Sequence, residues 1–333
     1  MPEADRSRPP RQKEKPPARK KRPQGLSANL PLSEYARAVM FFHFDELLRH
    51  EAGTRLGQDI EALHDMRVAT RRLRAAFDVF LPAFRLRAVK PLLGELRTVR
   101  LALGPVRDLD VFIENARQHQ SAHAVDLGLL LTEWQVRRES ARSQMLAYLD
   151  GPAFESFKTD FGQFLQSPGA GARVFDPRQP QPQITWQSAP WLIYQRYQHV
   201  LACEPLLPGA SPEQLHDLRV RFKKFRYTLE FFREILGKSL GLAIGDLKTI
   251  QDHLGDLNDA HLSCELLKLI LEKFEREAKS LPLAVRPDLG GVRAYLDFLN
   301  DRRLQLTATF PSAWEHFVRP EFRQNLALAI SEL

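Results

Sequence analysis

The sequence predicts an all-α protein, two pseudo-symmetric antiparallel helical bundles from an internal duplication, and three observations carry that expectation. From Leu32 onward Pro and Gly are sparse inside long segments of helical periodicity, and the alternation of half-buried strands is hard to find. A His-Asp-x-Arg pattern occurs twice, 152 residues apart, each time ahead of a basic cluster and an apolar run. Between the copies, S-P-G-A-G-A and D-P-R-Q-P-Q-P-Q interrupt any helix. The expected organisation is a tail over 1–28, one bundle over 29–165, a linker over 166–186 and a second bundle over 187–333.

The tail comes first. Residues 1–27 hold nine Lys/Arg against three acids, so they carry +6 of the net +7 of the 333-residue chain, along with six prolines. Such a composition cannot bury enough apolar surface to order itself, and predicts a disordered basic arm. The remainder is nearly neutral, so any binding by the folded part must come from local clustering. Two cysteines, Cys203 and Cys264, make no disulfide framework. With no apolar leader and no apolar run long enough to span a bilayer, the expected location is the cytoplasm.

In the first half the periodicity predicts helices near 32–50, 59–81, 84–103, 106–119, 122–150 and 152–165. In the second half it predicts 187–203, 212–236, 239–254, 257–279, 286–309 and 319–331. Beyond His64-Asp65-Met66-Arg67 and His216-Asp217-Leu218-Arg219, two further matches relate the halves: Leu96-Arg97-Thr98-Val99 to Leu247-Lys248-Thr249-Ile250, and Leu103-Gly104…Asp108 to Leu254-Gly255…Asp259. His64 lies 44 residues before Asp108, and His216 lies 43 before Asp259. Gly104 and Gly255 fit helix C-caps, after which Asp108 and Asp259 open the next helix or pair with an Arg across the bundle.

On a helical wheel His64, Arg67, Arg71, Arg74 and Asp78 share one face, opposite Met66, Ala69, Leu73, Ala76, Phe77 and Phe80. The second copy sets His216, Arg219, Lys223, Arg226 and Glu230 against Leu218, Phe222, Phe225, Leu229 and Phe232. Arg72 and Lys224 flank the two stripes, and Arg97, Arg100 and Lys248 add charge on the following helices. Like charges at i,i+4, as in Arg67/Arg71 and Arg219/Lys223, destabilise an isolated helix by a few tenths of a kcal/mol, roughly. A cost kept in both copies points to an anion. The competing reading is an internal ion-pair network with Asp108, Asp110 or Asp259. His64 and His216, near helix N-termini, fit phosphate contact, with capping, packing or metal ligation as alternatives. Asp65 and Asp217 fit as dipole partners or as orienters of a neighbouring Arg.

At these residues the sequence strongly resembles the CHAD family, the conserved-histidine α-helical domain. The resemblance rests on H-D-M-R-V-A-T-R-R-L-R from His64, H-D-L-R-V-R-F-K-K-F-R-Y from His216, L-G-P-V-R-D-L-D from Leu103 and L-G-D-L-N-D-A-H from Leu254. It implies two pseudo-symmetric four-helix bundles whose basic central surface binds inorganic polyphosphate, with some members on polyphosphate granules. The implied contacts fall on His64, Arg67, Arg71, Arg72, Arg74 and Arg97, and on His216, Arg219, Lys223, Lys224, Arg226 and Lys248. Phe222 stands where the first copy has Thr70. The resemblance also implies a frequent partner, a CYTH-type triphosphatase domain, which is a β-barrel with an E-x-E-x-K signature. Neither is expected in this chain, which reads as a stand-alone binding domain.

A linear polyanion suits two aligned stripes, because each Arg can hold phosphate bidentately. RNA or DNA is the weaker alternative, since the stripes carry no stacking aromatics or base-reading amides. An HD-type metallophosphohydrolase is weaker still, because Arg67 and Arg71 would place positive charge beside its metal. No enzyme activity, cofactor, metal or membrane association is expected.

Overall fold

The computed structural model describes residues 23, 25–174, 178 and 182–333. The expected basic tail therefore lies almost wholly outside the described residues, and part of the expected linker does too. Everything described is helix, turn or loop apart from two isolated bridges.

The first half runs α1 (Leu32–Arg49), a short α2 (Glu51–Leu56), α3 (Ile60–Phe80), α4 (Leu86–His123), α5 (Gly128–Leu149) and α6 (Pro152–Gln166). The second half runs α7 (Thr185–Leu201), α8 (Pro212–Phe231), α9 (Leu240–Lys279), α10 (Gly290–Phe317) and α11 (Pro320–Ser331). The two starts that matter most for the stripes are built locally. The Asp59 carboxylate accepts from the Glu61 N–H at 2.8 Å ahead of α3. Ser211 and Gln214 form a reciprocal capping box ahead of α8, with Pro212 pre-set at the first helical position.

The expected breaks at Gly104 and Gly255 are absent. Residues 84–103 and 106–119 merge into the 38-residue α4, and 239–254 and 257–279 merge into the 40-residue α9. Gly104 and Gly255 are ordinary mid-helix residues, not C-caps, and Asp108 and Asp259 open nothing. The physical reason is tertiary: Leu103 and Val106 bracket Gly104-Pro105, and Leu254 and Leu257 bracket Gly255, all buried. A continuous helix keeps each pair on one apolar face, whereas a break would expose part of it. Even Pro105, exposed and lacking an N–H, is carried inside α4.

The first half of α4 and of α9 lies in the main core, and their far halves project with α5 and α10 into a second cluster. Each cluster draws on both halves of the chain. The main one joins Tyr35, Phe77 and Phe161 to Phe222, Phe225 and Phe322; the smaller one joins Trp134 to Phe274 and Tyr295. Removing one such aromatic from water contributes roughly 1.5–3 kcal/mol, so the two halves hold each other.

The contacts between halves are reciprocal. The Leu32 N–H donates to Gln183 O at 2.9 Å, and the Thr185 N–H donates to Leu30 O at 2.9 Å. Arg72 meets Glu230 at 3.3 Å, and Lys224 meets Asp78 at 3.8 Å. The equivalent rings Phe80 and Phe232 touch each other edge to face at 5.4 Å. Residue i of one half contacting j of the other, while i of the other contacts j of the first, is the pattern of a two-fold axis. That axis passes between α3 and α8.

Candidate functional site

The wheel reading of the two stripe helices holds in three dimensions. All six apolar residues assigned to the inner face of α3, and all five assigned to that of α8, are buried. The polar faces meet at the axis, so the stripes form one surface. Arg71 lies close enough to Lys223 and Arg219 to oppose both of their charges.

Not every stripe residue is available. Arg67 Nη1 donates to Gly104 O at 2.8 Å and to Asp108 Oδ1 at 2.7 Å. Arg219 stands 3.5 Å from Asp259, with its Nε buried and unpartnered. Arg72 and Arg226 share Glu230, Arg226 at 3.5 Å, and Lys224 leans on Asp78. The competing ion-pair network is thus real for these five. Among the described residues, Arg71, Arg74 and Lys223 form no ion pair, and neither do Arg97, Arg100 or Lys248. Arg71 and Arg74 are exposed, as are those last three. Arg97 and Arg100 share a face of α4 with Gly104 and Asp108, and therefore with the side facing Arg67; Lys248 shares a face of α9 with Gly255 and Asp259.

The electrostatic strain concentrates at the axis. Burial, then Arg219 and Arg71, hold the Lys223 ammonium down to about 8, with Asp259 opposing and Arg226 adding to the depression. Burial also works against the charge of Arg219. His64 is lowered by burial, then by Arg107, with Glu61 and Asp65 opposing and Arg71 assisting. Beneath the junction, burial and Arg72 push the α1 side chain His43 down to about 3. For Lys223, Arg219 and His64 a nearby anion would oppose the shift, whereas His43 is buried away from solvent.

The two histidines differ. His216 Nδ1–H donates to Asn258 Oδ1 at 2.7 Å, since an amide oxygen can only accept, and Asn258 Nδ2 donates to Asp259 Oδ1 at 3.2 Å. A chain from His216 through Asn258 and Asp259 to Arg219 results. In the first half Arg107 replaces Asn258, so His64 faces a cation, a poor setting for a metal ligand. Asp65 lies 3.6 Å from His50, so the side chain it meets is a histidine and not the expected Arg.

Sequence reasoning left two cations outside the candidate site. Arg107 was visible in L-G-P-V-R-D, but nothing in the periodicity showed that it faces His64. Arg196 on α7 donates to Asp78 O at 2.7 Å beside the end of the stripe and carries no local motif. One expectation about motifs also needs correction. The string E-x-E-x-K does occur, at Glu275-Arg276-Glu277-Ala278-Lys279, yet it closes the helix α9, where Glu275 pairs with Arg293 and Glu277 lies near Lys273. On a helix those three side chains do not converge as they would along a strand.

Fold and site together define an all-helical protein whose two halves meet across a cation-lined junction. The chain belongs to the CHAD domain family, whose model matches residues 38–268. Among solved structures it is similar to the CHAD domain from the plant Ricinus communis, with a TM-score of 0.63 at 22% identity, covering 94% of this chain and 96% of that one. It is also similar to PptA from Streptomyces chartreusis, with a TM-score of 0.58 at 16% identity, covering 90% of this chain and 100% of that one. At these identities the likeness is one of fold. No curated protein matches the chain. Among the described residues, no helix is long and apolar enough to cross a membrane.

Proposed function

We propose that the protein binds inorganic polyphosphate along the junction of α3 and α8, as a binder and not as an enzyme. The observation that carries this reading is the meeting of Arg71 with Lys223 and Arg219 at the axis, where burial and like charge depress Lys223 and, among the described residues, no acid pairs with Arg71. A fold bears such a cost without return unless an anion relieves it. The exposed Arg74, Arg97, Arg100 and Lys248 extend the same charge outward on both sides. Charge-assisted contacts to phosphate are roughly twice as strong as neutral hydrogen bonds, and many of them add along a flexible chain. Membership of the CHAD family supports the choice of polyphosphate, and extends the reading to polyphosphate granules and to a separate CYTH-type triphosphatase as partner.

The test is a titration with polyphosphates of defined length against His64→Ala/Arg71→Ala and His216→Ala/Lys223→Ala. Both pairs should weaken binding; affinity equal to wild type in both would overturn the junction as the site. Competition addresses nucleic acid, since polyphosphate should displace RNA at far lower phosphate concentration.

A further inference from the structure

A second hollow lies where the α8 stripe ends. It is a cavity of about 200 Å³ lined by His216, Asn258, His261, Arg303 and Thr307 among apolar residues of α8 and α9. No carboxylate lines it. Asn258 holds His216 by Nδ1, which leaves Nε2 as the ring nitrogen for another partner. Arg303 forms no ion pair among the described residues; its polar neighbours are the Cys264 thiol and Glu265, and Glu265 is itself bound to Lys268 at 3.0 Å. Glu213, in the first turn of α8, is the other acid near His261.

The corresponding hollow of the first half shows what is unusual here. It overlaps this one at three counterpart positions, Ile60 for Pro212, Asp110 for His261 and Arg138 for Arg303; His64 does not line it, Glu114 and Glu139 do, and Asp110 and Arg138 are locked there at 2.6 Å. His261 stands 151 residues after Asp110, the interval that also separates Asp108 from Asp259, and Arg137-Arg138 is answered by Arg302-Arg303. The second half thus has a histidine where the first has the acid, and an arginine where the first has one. Two histidines and a guanidinium without a direct ion pair among the described residues face one small cavity with apolar walls, with Glu265 nearby but outside its lining; electrostatic attraction is stronger there than in water.

Resting on the polyphosphate reading above, we propose that this cavity is an end-binding site, taking the terminal phosphate group of a linear chain whose inner phosphates run along the α8 stripe. Chain chemistry supplies the discrimination. An inner phosphate unit carries one negative charge, whereas a terminal group, like a phosphomonoester, carries about −1.5 to −2 near neutral pH and three free oxygens. A compact set of three nitrogen-bearing side chains matches the terminal group and is excessive for an inner one. His216 belongs to both places, as the last residue of the stripe and the first of the cavity.

The experiment compares linear tripolyphosphate with cyclic trimetaphosphate, which has the same phosphorus count and no ends, alongside a long linear chain. Wild type should prefer the linear over the cyclic trimer by at least ~10-fold, the order expected for one or two charge-assisted contacts. His261→Asp, which restores the acid that the first half has, should pair with Arg303 and abolish that preference, while long-chain affinity changes by less than ~3-fold. Arg303→Gln should act in the same direction without adding a negative charge. Equal binding of the linear and cyclic trimers by wild type, or a preference that survives both variants, overturns end binding while leaving the junction site intact. Failure of the long chain to bind wild type would instead sink the polyphosphate reading and this inference with it.

Discussion

Lys223 offers the sharpest test of the junction, because its charge is depressed in the free protein and would be restored by a phosphate. With a value of about 8, against an ordinary 10.5, the ammonium is roughly nine-tenths protonated at pH 7 and only about one-tenth protonated at pH 9. If the ligand binds the charged form and returns it toward 10.5, the contribution of Lys223 to affinity is constant below about pH 7.5. Above pH 8 it should fall by about tenfold per unit, until the bound form also titrates near 10.5. Binding at pH 8.5 should therefore take up about 0.75 of a proton. Calorimetry in two buffers of different ionisation enthalpy reads both the affinity and the proton count. Lys223→Arg supplies the control, since a guanidinium stays charged throughout. A variant with the same pH slope as wild type, or wild type with no proton uptake at pH 8.5, would refute the assignment of Lys223 to the ligand.

Other consequences follow from the same geometry. Burial and like charge oppose the Lys223 ammonium, so Lys223→Met should raise the melting temperature of the free protein at pH 7 while weakening polyphosphate binding; a drop in both would mean that the lysine is structural. His64 is lowered by burial and Arg107, so a bound phosphate must raise it; affinity should grow as pH falls below 6.5, and His64→Gln should remove that gain in the same calorimetric series. About six phosphate contacts would give a log–log salt slope near −4 for a flexible chain by analogy with single-stranded nucleic acid, and an affinity indifferent to salt would contradict the mechanism. Gly104 and Gly255 are helical, and nothing beyond their chain neighbours and the local helix backbone lies within 4 Å of where a Cβ would stand. Each change to Ala should accordingly stabilise by about 0.5–1 kcal/mol in chemical denaturation, whereas true left-handed caps would be destabilised.

The contrast at Gly104 marks the limit of what was legible. Which face of α3 and α8 is apolar could be read from spacing alone, because the 3.6-residue period fixes side-chain direction without reference to any other element. Whether Leu103-Gly104-Pro105-Val106 breaks depends on what covers Leu103 and Val106, which is tertiary information, and burial there outweighed two local breakers. Ion-pair partners were hidden for a related reason. The wheel places Arg72 and Glu230 on the surfaces of their own helices, but it cannot say that the axis brings one against the other. Arg67 with Asp108 could be anticipated as one of several choices, and His261 in the place of Asp110 stands in the repeated motif itself, while Arg196 against Asp78, and the cavity that His261 lines, became visible only once the helices were packed.

The axis also bears on which polyanion fits. A nucleic-acid strand has direction, so a surface with two-fold related contacts would present half of its groups to a backbone running the wrong way. A linear phosphate chain reads the same from either end, so one register satisfies both stripes, with Arg71 and Lys223 at the midpoint. The departures from symmetry then become informative. Arg107 against Asn258, and Asp110 against His261, make the first half the more cationic along the track and the second half the more cationic at the track's end. A chain lying across the axis would therefore be held along its length mainly by the first half and at its terminus by the second. Exchanging the two sets, through Asn258→Arg with His261→Asp in one half and Arg107→Asn with Asp110→His in the other, should move end recognition across the axis without abolishing long-chain binding. Loss of long-chain binding in that exchange, with the fold intact by circular dichroism, would show that the two halves are not interchangeable supports of one track.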